Sequence, residues 1–267
     1  MSTETVRVRP WTRRLRYGWI IEAGLGVGTF LLFDEVRAHV AGSGVTALRN
    51  ARDIVRWERA VGLYQEHRLQ HAFVDLHWFL SFWNFYYGTI HFVMPAIALV
   101  TLWRRDPQRY IVWRNIVLVM LGMGLILFWA YPLMPPRLMP HHFGFVDTAA
   151  RFYNFGPQQR VVLVHGVPNA AAQAAFGNLF AAMPSFHAGW SMWSALALYP
   201  VVRTPVLRAL VLLYPVFTTF AIVVTANHWI LDAVGGWVVL GVAWALVTGY
   251  ERWRHPVAPA APVVTQA

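Results

Sequence analysis

The chain has 267 residues, 57% of them hydrophobic and only 13% charged, and it carries a formal charge of +10 with no cysteine. Soluble domains hold about a quarter charged residues, so this balance excludes an ordinary soluble globule and fits a polytopic membrane protein built as one helical bundle. The missing cysteines exclude disulfides, thiol catalysis and cysteine metal sites, and the basic residues, all arginine, fall in short clusters between apolar runs, as topology signals do, rather than as a nucleic-acid surface.

Residues 1–15 are polar and Arg-rich and read as a cytoplasmic arm. The apolar run after them ends in Asp34-Glu35 without a small-residue cleavage site, so it reads as a retained first span, about Tyr17 to Phe33, rather than a signal peptide. It contains Glu22 and the series Gly24, Gly26, Gly28, a spacing that permits close helix packing. Residues 34–76 alternate charged and aromatic positions, and Ile54, Trp57, Val61, Leu63 and Leu69 among Arg and Glu predict an amphipathic helix on the membrane surface.

A second span is expected from about Leu80 to Trp103, followed by an Arg-rich loop, and a third from about Ile116 to Leu133, broken by Pro132, Pro135 and Pro136. The connection 134–183 is too polar and Gly/Pro-marked to cross a bilayer; its small-residue piece Ala170–Ala182 suits an interfacial segment or a lid. A fourth span begins at Ser185 or His187 and ends near Val202, a fifth covers about Val206 to Thr225, and a sixth about His228 to Gly249. The fold expected is therefore all-α: six transmembrane helices plus a surface amphipathic helix, with residues 16–250 as one membrane domain and 251–267, Pro/Ala-rich, as a disordered tail.

Six spans put both termini on one side. Taking that side as the cytoplasm places thirteen of the 22 arginines there, the other nine falling in the two long connections where charge counts for less. On this multi-pass layout in the cell membrane, Arg137, His187 and His228 all emerge on the outer face.

His228 and Asp232 stand four residues apart, on one face of a helix. A carboxylate there accepts the Nδ1 proton of the imidazole and leaves a more basic Nε2 free to attack an electrophile. Alone, the pair reads first as a structural contact; a second histidine in Pro184-Ser185-Phe186-His187 and an arginine after Pro135-Pro136 shift the balance. The guanidinium of Arg137 suits a phosphate, although an isolated interfacial arginine also snorkels. Ser185 occupies an N-cap position, where first-turn N–H groups favour an anion, and His187 in that turn can give a proton to a leaving oxygen. Together these residues read as phosphoryl transfer: His228 attacks phosphorus in line, Asp232 fixes its tautomer, Arg137 and the helix N-terminus hold the equatorial oxygens, and His187 protonates the departing alcohol.

The trio Pro-Pro-Arg137, Pro-Ser185-Phe186-His187 and His228-x-x-x-Asp232 resembles the type 2 phosphatidic acid phosphatase superfamily. The resemblance is nearest to its inositolphosphotransferase or inositol phosphorylceramide synthase-like branch, which has many actinobacterial members. It covers roughly residues 45–249, including Glu58, Gly62-Leu63, Glu66, Leu69 and the loop Gly144-Phe145-Val146-Asp147. It implies a six-helix membrane fold, an active site at the membrane surface, a phosphohistidine intermediate, a histidine acid/base, no metal or other cofactor, and a lipid phosphate or inositol-phosphate headgroup as substrate.

The chain departs from that pattern in three places. The superfamily's first motif begins with a lysine where this chain has Ala130; its second has glycine where this chain has Phe186; its third has Ser-Arg where this chain has Ala221-Ile222. Two phosphate-holding cations are thus missing. Arg151, Arg160 or His91 are candidates to compensate, and Asn227 to hydrogen-bond a phosphate oxygen beside Ser185 and Phe186. Asn84, Tyr87 and His91, at helical spacing, face the bundle and serve either the substrate pocket or interhelical hydrogen bonding. His141-His142 with His165 lack the carboxylate spacing of a metal site. The partners expected are membrane lipid and the lipid phosphate, with no nucleic acid. Phosphatase and phosphotransferase differ only in the acceptor. A non-catalytic lipid-binding protein or transporter is the other class to weigh, but the paired repeats and broken mid-membrane helices of a transporter are not evident.

Overall fold

A computed structural model of the chain describes residues 18–40, 42–148, 163–164, 167–168 and 178–254. The N-terminal arm, Arg151, Arg160, His165, most of the Ala170–Ala182 piece and nearly all of the C-terminal tail lie outside the described residues.

Among the described residues eight α-helices follow one another: α1 (Trp19–His39), α2 (Gly44–Ala60), α3 (Glu66–Phe73), α4 (His77–Arg105), α5 (Pro107–Ala130), α6 (Phe186–Leu198), α7 (Pro205–Val224) and α8 (Ile230–Arg254). Between α5 and α6 come two single turns of 3-10 helix, Pro136–Leu138 and His141–Phe143, and a short antiparallel pair, Leu163–Val164 with Val167–Pro168. The helix starts carry recognisable signals. Ser43 caps α2 by accepting the Thr46 N–H at 3.2 Å, and Asp106 caps α5 by accepting that of Arg109 at 3.0 Å, with Pro107 in the first turn.

Among the described residues four helices are long and apolar enough to cross a membrane: α4, α5, α7 and α8. The other two of the six expected spans fall on α6 and α1, which do not meet that description by themselves. α6 has 13 residues, about 20 Å of helix against a hydrocarbon core of about 30 Å. α1 has 21 residues but is interrupted by Glu22, Asp34, Glu35 and Arg37. α6 is nevertheless the centre of the bundle, packed against α4, α7 and α8, with Trp193 fully enclosed and its indole N–H on the Trp113 carbonyl at 3.0 Å. α1 is tied to α5 by a buried-side cluster: Arg114 donates to both Glu22 oxygens at 2.6 and 2.8 Å, and the Tyr110 hydroxyl donates to Glu22 at 2.9 Å. Glu22, largely shielded from solvent, is thereby partnered.

The single amphipathic helix expected within 34–76 is two helices, α2 and α3, broken at Gly62, whose φ of +75° suits glycine. α2 buries Ala47, Asn50, Ala51, Ile54, Val55 and Glu58, one stripe at three- and four-residue spacing, and exposes Arg49, Arg52, Arg56 and Arg59. Trp57, Val61 and Leu63 lie on the exposed side with the arginines instead of facing the core.

Candidate active site

The site forms where α5 ends and α6 and α8 begin. Two glycines bring these helices together. A methyl group on Gly236 of α8 would run into the Ser185 carbonyl oxygen, and one on Gly189 of α6 would come within 3.1 Å of the Gly236 carbonyl oxygen. The Ser185 N–H donates to the Asp232 carbonyl at 2.9 Å, fastening the start of α6 to the first turn of α8. Ser185 also caps α6, accepting from the Ala188 N–H at 3.4 Å, and is fully buried.

The turn from α7 to α8 is tight. The Asn227 and His228 N–H groups both donate to the Ile222 carbonyl, at 2.9 and 3.1 Å, and Ala226 adopts φ +55°, the left-handed region that costs a non-glycine residue free energy. The Arg137 N–H donates to the Ala226 carbonyl at 2.8 Å, so the Pro-Pro-Arg segment is pinned to the turn that delivers His228.

His228 donates from Nδ1 to the Ala182 carbonyl at 3.0 Å and to Asp232 Oδ2 at 3.2 Å. The Ala182 carbonyl can only accept, so Nδ1 carries a proton, and in the neutral imidazole the lone pair is then on Nε2. Asp232 is fully buried, and its Oδ2 also accepts the Trp229 N–H at 3.0 Å. Two further carboxyl groups complete the start of α8: Glu66 Oε1 accepts the Ile230 N–H at 2.9 Å and Glu58 Oε1 the Leu231 N–H at 2.8 Å. Three successive N–H groups that a helix start leaves unpaired are thus taken by three buried carboxyl groups. Glu58 and Glu66 lie within hydrogen-bonding reach of each other, and burial, with that neighbour, pushes the Glu58 carboxyl up to about 9. At neutral pH the pair therefore holds a proton between its two carboxyl groups.

A cavity of about 330 Å³ opens beside this turn, lined among others by Tyr87, His91, Arg137, Phe186, His187, Asn227 and His228. The two imidazoles of His187 and His228 have ring centroids 5.4 Å apart. His187 is stacked on Tyr87 at 4.1 Å and meets His91 at 4.1 Å; its Nε2 is buried with no partner. His91 donates from Nδ1 to the Tyr87 carbonyl at 2.6 Å. Arg137, with 7% of its side chain exposed, donates from Nη1 to Asp147 at 3.2 Å, while its Nε–H is buried and unpaired. Buried polar atoms rarely go unmet, and two such atoms on residues lining one cavity mark a place for a polar ligand.

Of the residues singled out from the sequence, seven line the cavity. Asp232 and Ser185 stand directly behind it, the first orienting His228 and the second capping α6. Asn84 does not reach it: its amide donates to the Leu80 carbonyl and to Thr148, whose hydroxyl donates to the Thr225 carbonyl, so it links α4 to the end of α7. Asn227 spends an amide N–H on Thr225 at 2.8 Å. Phe186 fills space over Gly124 of α5, where a methyl would collide with its ring, and lies 5.4, 5.5 and 5.4 Å from the rings of Phe33, Phe128 and Trp190. His141 and His142 form no metal-holding cluster among the described residues.

The roles of Glu58, Glu66 and the loop carrying Asp147 are not apparent from residue types alone. Gln70 clamps that loop from both sides, donating to the Val146 carbonyl at 2.8 Å and accepting the Val146 N–H at 3.0 Å. A buried acidic pair eight residues apart beside an arginine face was the available signal.

A family model described as the PAP2 superfamily matches residues 52–246. No curated protein and no solved structure matches the chain.

Proposed function

The chain belongs to the PAP2 superfamily and carries the apolar helices of a membrane protein, which supports a membrane phosphatase-type function; from that premise we propose that it cleaves or transfers the phosphoryl group of a lipid phosphate or inositol-phosphate headgroup through a phosphohistidine on His228. The observation that carries this reading is the hydrogen bonding of His228. With Nδ1–H committed to Asp232 and Ala182, the free lone pair is on Nε2, in a cavity shared with a second imidazole and a guanidinium.

His228 Nε2 attacks phosphorus, the P–O bond to the leaving alcohol breaks, and a protonated His187 delivers its proton to that oxygen. Asp232 stabilises the cationic phosphoimidazole, and Arg137 balances charge on the equatorial oxygens. His187, now neutral, then takes a proton from water or a second alcohol as that acceptor attacks the phosphohistidine, and His228 is released. Stacking on Tyr87 and the contact with His91 fix the His187 ring.

We read α1 and α6 as two further membrane-embedded helices beside the four apolar ones. Both termini are then cytoplasmic and the site opens on the outer face, as the arginine distribution favours. α2 and α3 lie along the surface, with the exposed arginines of α2 toward lipid headgroups.

The test is turnover by purified protein in detergent, in the presence of EDTA, on a panel of lipid phosphates with and without an added inositol-bearing acceptor. Release of phosphate or its transfer to the acceptor, abolished in His228→Ala, is expected. Strict dependence on added metal would contradict the scheme.

A further inference from the structure

We infer that Arg37 of α1 and Asn178, ahead of α6, form a second phosphate-holding subsite in the same cavity, in place of the two cations absent at Ala130 and Ile222. The inference rests on the reading of the cavity as a phosphate site. Both residues line it together with Arg137, His187 and His228.

Arg37 belongs to α1, outside the stretch matched by the family model. Its guanidinium is held in place: Nε and Nη2 donate to Asp34 Oδ1 at 3.2 and 2.6 Å, and Nη1 to the Asn178 carbonyl at 3.4 Å. A guanidinium has five N–H donors, so this arrangement leaves donors for an incoming anion. The side chain is about a quarter exposed, at 27%, and lines the same cavity as His187 and Tyr87.

Asn178 supplies a separate indication. It is 4% exposed; its Oδ1 accepts the Phe180 N–H at 3.0 Å, which fixes which end of the amide is which. Its Nδ2 is then buried and has no partner. A buried amide nitrogen left unpaired at the wall of a cavity is costly unless a ligand oxygen meets it. With Arg137 also presenting an unpaired buried Nε–H, three donor groups from three separate segments border one cavity. Asp34 lines it too; its Oδ1 is engaged by Arg37, and it acts as the counter-charge that orients the guanidinium, as Asp147 does for Arg137.

A second cavity, about 320 Å³, continues this one between α1, α4 and α5, sharing Phe30, His91, Phe92 and Trp190 with it. A substrate whose phosphate sits between Arg37 and Arg137 therefore has an apolar slot for its chain, with α1 as one wall of both.

The experiment measures inorganic phosphate in two ways: as a competitive inhibitor of turnover, and by the thermal stabilisation it gives the detergent-solubilised protein. Arg37→Gln is expected to raise the inhibition constant about tenfold or more, the scale of one charge-assisted contact, and to remove most of the phosphate-induced rise in Tm. Asn178→Leu is expected to weaken phosphate severalfold, and Arg37→Lys to recover part of the loss. Asp34→Asn separates this from a structural ion pair: it breaks the pair but keeps the cation, so its phosphate affinity should exceed that of Arg37→Gln. Equal losses of stability in Asp34→Asn and Arg37→Gln, with phosphate affinity unchanged in both, would overturn the subsite. Stabilisation by phosphate that depends on Arg37, in a protein that turns over no lipid phosphate, would leave the subsite standing and remove the enzymatic reading.

Discussion

Glu58 accepts the N–H of Leu231 at 2.8 Å, joining the surface helix α2 to the first turn of α8 across 173 residues of chain. That turn carries Asp232, whose Oδ2 accepts the Trp229 N–H and meets the His228 imidazole, so the acidic pair Glu58 and Glu66 supports the candidate nucleophile from behind.

The pair predicts a pH dependence. The Glu58 carboxyl is pushed up to about 9 from 4.5, mainly by burial and then by Glu66, with the Asp232 charge adding to it. The folded protein keeps a proton that the unfolded chain has released between these two values, so this group makes stability fall as pH rises from about 4.5 to about 9 and has no further effect above it. Glu58→Gln, which keeps the acceptor for Leu231 and a donor toward Glu66, should flatten that slope in thermal melts run across the pH range. Glu58→Ala should instead cost about 1–3 kcal/mol, because the Leu231 N–H is left unpaired.

Asp232→Asn should leave the fold in place and lower kcat by about 10³–10⁴, the scale found when an aspartate that orients a catalytic histidine becomes an amide. Oδ2 accepts from both the His228 imidazole and the Trp229 N–H, and an amide satisfies both only by placing its oxygen there, without the charge that stabilises the imidazolium. Single-turnover kinetics on the purified variant give the measurement, with thermal melting as the control for folding.

Gly236→Ala tests the helix contact. Its methyl would meet the Ser185 carbonyl oxygen, backbone that cannot swing away, so α6 and α8 must separate and the two imidazoles with them. Misplacement of reacting groups by about 1 Å costs about 10²-fold. A loss of at least that size in kcat, with the protein still extracted as a folded species, is expected.

Phe186 fills the space over Gly124 and touches Phe33, Phe128 and Trp190. Phe186→Gly restores the residue found in the wider superfamily pattern but removes this packing, at a cost of about 3–5 kcal/mol. Reduced Tm, together with weakened phosphate inhibition because Phe33 and Arg37 share α1, is the expected result.

Much of this organisation was legible in the sequence. Apolar runs located the long helices α4, α5, α7 and α8 to within a few residues at most of their ends, because in a membrane protein length and hydropathy are tightly constrained. His228 and Asp232 do meet, although His228 lies in the turn before α8 and not, as expected, on a helix face with Asp232, and the histidine and arginine motifs point to residues that line one cavity. What was hidden is what residue type does not encode. α6 is too short to cross by itself although it is the centre of the bundle. Trp57 and Val61 face outward with the arginines of α2 because the core stripe is set by Ala47, Ala51, Ile54 and Val55, smaller residues that let the helix lie close. Asn84 spends its amide on Leu80 and Thr148 rather than on the cavity. Arg37 and Asn178 reach the site from segments with no motif, by tertiary packing alone.

Trapping the phosphoenzyme tests the central claim most directly. Wild-type protein mixed with a lipid phosphate labelled on phosphorus and quenched within a turnover should carry label in an alkali-stable, acid-labile bond that maps to His228, absent from His228→Ala and formed far more slowly in His187→Ala, which lacks the acid for the leaving alcohol. Turnover at the wild-type rate in His228→Ala, or label found on any other residue, would contradict it.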